Sequence, residues 1–433
     1  MNQKINKLFL CALGVMAMMA CNKENTGGDT PTGGAEGLPA VASISFTQNG
    51  PGTYAGTGES AATQSEKTIT KATVLVFDAS NQLEQTLEFD RTTTQKRFQT
   101  TTGKKTLFVM GNFDGTALNP AFTPQVGRFS VTDLMKQVHA VTVADIATMS
   151  TADNFYLTNA ASSGTGLTEF TVTSNQAQNN VSIPVGRMLA KTVLKTDNMN
   201  LAAAGLLALN DVQARPINIP NKVNVVHRYD AQHVLQTPLF GDMTEANYFD
   251  VPDYAATGTP MYIMENSHDG AKILRSNTTM LLVKGTWVPA ADAIMDENNA
   301  NTGVLTNGTF YAVRNKTTGV IITKPVFNAS PTPAVVAALA GSAGNGEIVE
   351  YTNGVCYYSI FIAKTGEQNL ARKYQVERNN LYTMIINNVN GLGYNTEAGV
   401  IGAPSDPVEE STELDVTVSV VDWVDNTIHG DLQ

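Results

Sequence analysis

Along most of the chain, apolar residues alternate with Thr, Ser, Asn and Gln in short runs, and a period of two predicts strands rather than helices. Leu38 to Gln48 (LPAVASISFTQ) puts Ala42, Ile44 and Phe46 on one face, and a Gly/Ser/Thr-rich stretch, Asn49 to Thr70, follows it. A short strand on a long loose loop can be removed without dragging the core with it. Strands are predicted next at Lys71 to Asp78, Arg97 to Thr102, Lys105 to Met110, Phe155 to Thr158, Leu167 to Val172 and Val181 to Val185, with turns at Asp78-Ala79-Ser80-Asn81 and Gly103-Lys104. The second half repeats the pattern at Leu201 to Leu209, Ala214 to Ile219, Val223 to Val226, Met261 to Asn266, Thr278 to Gly285, Gly308 to Val313, Val355 to Ile362 and Tyr382 to Asn387. Asp242 to Thr259 reads as loop and Trp287 to Phe310 as an insertion. Helical spacing is confined to Ser130 to Met149, where a strand at Val141-Thr142-Val143 is the alternative, and to Pro333 to Ala343. So many strands against so few short helices predict an all-β fold of β-sandwich domains, one over residues 40–199 and one over 200–433.

The two ends depart from this pattern. Lys4 and Lys7 precede an uncharged apolar run, Leu8 to Ala20, that is too short to span a bilayer stably. Met18-Met19-Ala20-Cys21 resembles the lipobox of bacterial lipoproteins, so residues 1–20 are expected to be a signal peptide and Cys21 the acylated first residue. Two or three acyl chains hold a protein at a membrane far longer than one, since each buried methylene adds roughly 0.8 kcal/mol. Residues 21–39 are glycine-rich and read as a flexible tether. At the other end, Ala398 to Glu413 is loose and acidic, and Leu414 to Trp423 then alternates sharply. Leu414, Val416, Val418 and Val420 share one face, Asp415, Thr417 and Ser419 the other, and Trp423 closes the run. Segment 411–433 is therefore a half-buried strand on a leash. Its home is either a sheet edge of its own subunit or the sheet of a neighbour. In the second case the strand Ala42 to Phe46, once removed, leaves a slot for a neighbour's tail, and the head-to-tail contact builds a filament.

Charge and composition exclude several functions. Lys and Arg total 28 against 39 Asp and Glu, a formal net charge of −11, and no basic cluster interrupts that field, so nucleic acid is not an expected partner. Loss of Lys4 and Lys7 with the leader makes the chain more acidic still. With Cys11 discarded and Cys21 acylated, Cys356 stands alone and no disulfide is available. The five histidines, His139, His227, His233, His268 and His429, have no metal-ligand spacing, and Cys356 lies in an apolar strand where a thiol acts as a small hydrophobe. Asp292, Asp296 and Glu297 carry oxygen ligands suited to calcium, yet their spacing misses the helix-loop-helix pattern. There is no G-x-S-x-G elbow, and the glycines of Ser163 to Gly166 and Gly341 to Gly346 lack the strand and helix that a phosphate cradle needs. Carboxylate pairs for glycoside hydrolysis meet only in the fold, and with 39 acidic residues some close pair arises by chance. No cofactor, metal or catalytic residue is therefore expected.

Several runs together resemble the fimbrillin family of Bacteroidales, the subunits of major and minor fimbriae: Met19-Ala20-Cys21 with Asn22-Lys23-Glu24, Thr73 to Asp78, Gly103 to Asn112, Pro184 to Lys191, and Val376 to Tyr382 leading to Gly391-Leu392-Gly393. Each run alone is only moderately specific; their order along nearly the whole chain carries the resemblance. It implies two transthyretin-like Greek-key sandwiches and export as an outer-membrane lipoprotein precursor, with Lys23-Glu24 resembling the surface-export signal. It also implies proteolytic loss of the early strand and polymerisation at the cell surface by donor-strand exchange. The implied partners are copies of the chain or other fimbrial subunits, the outer membrane through lipid before processing, and a host or bacterial receptor. In the family's best-known members an arginine-specific protease makes the cut, whereas the first arginine here is Arg91. Either another protease acts within Asn49 to Thr70 or near Lys67 and Lys71, or the chain stays uncut as an anchor or terminal component, or the early strand is displaced without cleavage. The donor run at Leu414 to Trp423 favours a shaft or tip-proximal place. The alternative is a monomeric surface lipoprotein that binds glycan or host protein through an aromatic patch of Trp287, Tyr357 or Tyr358. An extracellular hydrolase comes third.

Overall fold

A computed structural model describes residues 37–48, 62–90, 95–113, 122–161, 163–196, 199–201, 206–242, 244–409 and 413–422. The expected signal peptide, Cys21, the tether up to residue 36, Arg91, Trp423 and His429 lie outside the described residues.

The first half supplies β1 (Pro39–Gln48), β2 (Lys71–Phe77), β3 (Leu83–Asp90), β4 (Gln95–Thr101), β5 (Gly103–Gly111), β6 (Val138–Ala140), β7 (Leu157–Asn159), β8 (Thr168–Val172) and β9 (Asn180–Arg187). All but β6 join one eight-stranded sheet in the order β3-β2-β5-β7-β9-β1-β4, with β8 attached to β5. The sheet curls until its end strands face each other, giving a nearly closed barrel. Among the described residues no ladder joins β3 to β4; side chains tie β3 to β4 and to Lys105 of β5 instead. The Glu84 carboxylate on β3 accepts from Thr100 Oγ1 (2.8 Å) and Lys105 Nζ (2.6 Å), Gln85 Nε2 donates to the Gln99 carbonyl (2.8 Å), and Lys96 Nζ donates to the Glu88 carbonyl. Closure by side chains protects both edges.

The alternation in β2 and β5 seats Val74, Val76, Leu107 and Val109 in a core shared with Ala40, Ala42, Ile44, Phe98, Ile183 and Val185. The two strands expected around Gly103 are present but are not partners. Gly103, at φ +117°, turns a corner that glycine alone adopts easily, and the chain passes from β4 at the sheet edge to β5 in its middle.

The second half supplies β10 (Ala190–Lys195), β11 (Leu206–Ile217), β12 (Ile219–Pro220), β13 (Lys222–Asn224), β14 (Tyr248–Phe249), β15 (Ala255–Ala256) and β16 (Met261–Ile263). It continues with β17 (Met280–Pro289), β18 (Ile294–Met295), β19 (Phe310–Asn315), β20 (Ile321–Phe327), β21 (Gly346–Tyr351), β22 (Val355–Phe361), β23 (Asn380–Val389) and β24 (Leu414–Asp422). Three sheets of four strands result, ordered β16-β10-β23-β24, β15-β11-β17-β22 and β18-β20-β19-β21.

Three expectations change. The Ser130 to Met149 stretch splits into helices Val131–Met135 and Val143–Met149, each capped by a hydroxyl, Ser130 and Thr142, with β6 between them pairing with β13. The stretches near Leu209 and Ala214 form one strand, β11, with an irregularity between Asn210 and Gln213 where Asp211 takes a positive φ. Trp287 begins no insertion: it lies in β17, buried, its Nε1 donating to Tyr358 Oη and the Leu392 carbonyl, both at 3.1 Å. The helix expected in the alanine-rich segment is present but shorter, Pro333–Leu339.

Candidate functional site: the leading-strand slot and the terminal strand

β1 lies between two strands that are distant in sequence. It pairs antiparallel with β4 from Pro39 opposite Thr101 to Ser45 opposite Gln95, and parallel with β9 from Ser43 opposite Asn180 to Gln48 opposite Val185. Ala42 and Ile44 are buried in the barrel core, and Phe46, half-buried, packs on Phe89 with ring centroids 4.8 Å apart. Asn179 fastens the flank, its carbonyl accepting from Ser43 N (2.7 Å) and its Nδ2 donating to the Val41 carbonyl (3.1 Å). One discord lies in this seat: the Ser43 hydroxyl is buried with no hydrogen-bond partner, which costs free energy only while β1 is docked.

The chain is described again from Ala62. Ala62 is buried against Phe155, Val193 and Leu381. The helix Gln64–Lys67 then drives Glu66 inward, and Lys67 is half-buried while Lys71 opens β2 with an exposed side chain. Glu66 Oε1 accepts from Lys191 Nζ (2.9 Å) and Tyr262 Oη (2.8 Å), and Oε2 from Thr63 N (2.7 Å). Burial alone would raise its pKa, but the hydrogen bonds from Lys191, Thr63 and Tyr262 outweigh it and hold the carboxyl below its usual range. Lys191 and Tyr262 stand on β10 and β16, so this carboxylate ties the barrel to the next sheet. A second buried pair lies on the same seam, where Arg378 grips Glu265 through two bonds of 2.7 Å and donates to the Asn224 carbonyl (2.5 Å). Burial and the nearby Arg378 charge push His227 well below its ordinary pKa.

At the far end β24 occupies the edge of its sheet, antiparallel to β23 from Leu414 opposite Val389 to Asp422 opposite Asn380. Leu414 and Val418 are buried, Val416 and Val420 half-buried, and Asp415, Thr417 and Ser419 exposed. The alternation in the sequence is thus the alternation in space. Beyond the strand pairing, Thr365 Oγ1 reaches the Val418 carbonyl (3.0 Å), and Asn387 Nδ2 and Asn388 Nδ2 reach Thr417 and Asp415 (2.8 and 2.7 Å). On its free flank a cleft of about 540 Å³ separates Leu414, Val416 and Val418 from Ser359, Ile360 and Phe361 of β22. The approach to β24 is less loose than its composition implies. Glu397–Ile401 is a short helix, and Arg275 N donates to the Asp406 carbonyl (2.9 Å) while Val408 N reaches the Ile273 carbonyl (3.4 Å). The monomer therefore holds both strands at once: the early one in its slot and the terminal one on its own sheet.

The alternative chemistries find other surroundings. Trp287 and Tyr358 are core residues, which leaves Tyr357 as the half-buried remainder of the aromatic patch. Asp292 pairs with Lys324 Nζ (2.9 Å), and Asp296 accepts from the backbone of Asn298 and Ala300 in its own loop. Among the described residues no group of three His, Cys, Asp or Glu side chains is arranged to hold a metal ion. Burial pushes the Cys356 thiol up to about 12, so it stays protonated.

The architecture is thus a barrel with an inserted leading strand, followed by sheets that end in an alternating edge strand. Residues 40–224 match the family described as "Major fimbrial subunit protein (FimA)", and residues 349–428 match "Major fimbrial subunit protein type IV, Fimbrillin, C-terminal". The chain belongs to the fimbrillin family, the structural, non-enzymatic subunits of fimbriae at the cell surface. Its fold is similar to that of a fimbrilin (FimA) from Porphyromonas gingivalis W83, with TM-score 0.50 and 15% identity over 90% of this chain and 98% of that one. It is also similar to a putative cell adhesion protein from Parabacteroides distasonis ATCC 8503, with TM-score 0.50 and 13% identity over 91% and 99%. No curated protein matches the chain.

Proposed function

We propose that this fimbrial subunit polymerises head-to-tail by strand exchange: β1 leaves its slot and the β24 segment of a neighbour takes its place. One observation carries this. β1 is laddered on both flanks and fills the barrel core, yet it connects to the body only through residues 49–61, while β24 offers a strand of nearly equal length with the same alternation and one ladder. Leu414, Val416, Val418, Val420 and Trp423 are the donor residues, and Ala42, Ile44 and Phe46 are the displaced ones. Strand addition draws affinity from main-chain bonds and specificity from alternate side chains, which is what this pair of elements supplies.

The same reading takes the two halves, 40–199 and 200–433, as transthyretin-like domains, the first with its single sheet curled into the barrel in place of the expected two-sheet sandwich, and with β10 at the handover pairing with strands of the second. It takes residues 1–20 as signal peptide, Cys21 as the lipid anchor of an outer-membrane precursor and 21–39 as its tether. Cleavage between β1 and β2, for which Asn49 to Thr70 with Lys67 and Lys71 is the candidate region, frees β1, and the contacts of residues 62–71 narrow it to the earlier part of that region. Partners are further copies of the chain or other fimbrial subunits, with a surface receptor for adhesion.

Deleting residues 414–433 tests the exchange. The truncated subunit is expected to fold but to give no multimer ladder on an unboiled denaturing gel. A ladder that survives the deletion refutes strand donation. The monomeric glycan-binding alternative has lost two of its three aromatics to the core.

A further inference from the structure

If β1 leaves as proposed above, the point at which the departing segment ends decides what the body keeps. Residues 62–71 are bound to it more tightly than any connector needs. Ala62 fills an apolar niche between Phe155, Val193 and Leu381. The Glu66 carboxylate neutralises Lys191, and its backbone carbonyl accepts from Arg187 Nε (3.0 Å). Asp153 N donates to the Ser65 carbonyl (2.8 Å), and Thr68 Oγ1 to Asp153 Oδ1 (3.2 Å). Asn112 then receives Thr70 N at its Oδ1 (2.7 Å) and returns Nδ2 to the Thr68 carbonyl (2.8 Å). Lys71 is already laddered, its carbonyl accepting from Asn112 N (2.8 Å).

We propose that residues 62–71 are a clasp that stays with the body when β1 departs, Glu66 being the counter-ion of the Lys191 pocket, so that neither the Lys67–Thr68 nor the Lys71–Ala72 bond is a processing site. Scission after Lys67 carries Glu66 away and breaks its 2.9 Å ion pair with the buried Lys191, and removing one member of a buried pair is strongly destabilising. Scission after Lys71 also strips the first rung of β2. Proteases take substrates as extended, accessible chain, so both bonds are reachable only after the clasp opens locally. The clasp has a second effect: its carboxylate spans from the barrel to β10 and β16, so the processed subunit keeps the seam between barrel and second sheet that the precursor has.

Limited trypsin digestion of the purified full-length chain, read by intact mass, tests the clasp whether or not strands exchange. The Lys67–Thr68 and Lys71–Ala72 bonds are expected to resist in the native chain, and Glu66→Ala is expected to speed cleavage after Lys67 by on the order of tenfold or more. Cleavage at either bond with the rest of the body intact overturns the proposal, and so does a Glu66→Ala chain that resists as well as the native one. If Glu66→Ala fails to fold, the first residue of subunits in assembled fimbriae decides: Ala62 or any earlier residue supports the clasp, and Thr68 or Ala72 refutes it. Failure of the exchange reading shows separately, as a ladder that persists without residues 414–433.

Discussion

Leu414→Ala probes the terminal strand where its structural cost can be worked out. The side chain is 5% exposed and sits in the main core with Val389, Leu392 and Val418. The substitution removes three carbon atoms, each worth roughly 0.8 kcal/mol of burial, or about 2.4 kcal/mol together. An edge strand beside a cleft can relax into the space, so little is added for a cavity. In the monomer the loss appears as faster amide exchange over Leu381–Val389, which β24 covers. If strands exchange as proposed, the same side chain enters a neighbour's barrel, and with equal burial there each junction weakens by about fiftyfold, since 1.4 kcal/mol is tenfold. Gel ladders over a temperature series, with mixtures of variant and native subunits, measure that loss. Amide exchange that rises in the monomer beside a ladder of unchanged thermal resistance would refute the reasoning, because the strand would then matter to its own subunit alone.

Ile44→Ala is expected to lower precursor stability by about 2–4 kcal/mol in denaturant unfolding while leaving assembled fibres unchanged, because the proposed exchange removes β1 from them. Glu84→Ala removes the carboxylate that Lys105 and Thr100 share and leaves the Lys105 ammonium buried, a loss of about 3 kcal/mol in the same assay. His268 is buried with Nε2 unpartnered, and burial pushes its pKa down to about 4 from 6.5. The unfolded chain therefore takes the proton first, and stability is present above pH 6.5 and lost between pH 6.5 and about 4 at up to about 1.4 kcal/mol per unit. His227 adds a loss of the same sign. Denaturation midpoints of native and His268→Gln protein at pH 7 and 5 check this; equal slopes would be the contrary result.

The period of two in LPAVASISFTQ and in Leu414 to Val420 was sufficient to find both strands and to say which face each buries, because a strand's sides are fixed by parity. Pairing was not readable in the same way. Arg97 to Thr102 and Lys105 to Met110 look like a hairpin, but Gly103 sends one to the sheet edge and the other to its middle, and β1 finds β4 and β9 across long sequence separations. Trp287 reads as the start of an insertion because the polar run ADAIMDENNANTG follows closely; its indole N–H, satisfied inside the core, shows that it still belongs to β17. Glu66 carried no signal at all. It stands in a polar, threonine-rich stretch, and its partners Lys191 and Tyr262 are brought to it only by the fold. Buried ion pairs between distant elements leave no periodicity to detect.

A strand with one neighbour running alongside it and the other running against it, as β1 has in β9 and β4, is not equivalent to its own reversal. Turned end for end, an entering tail would run alongside β4 and against β9, exchanging the two kinds of ladder, and its connection would emerge at the opposite mouth of the barrel. If the tail takes β1's place in β1's direction, as proposed, every junction points the same way. The fibre would then be vectorial, with a vacant mouth at one extremity and an uncommitted tail at the other, and a subunit that lacks residues 414–433 would act as a chain terminator at one extremity only.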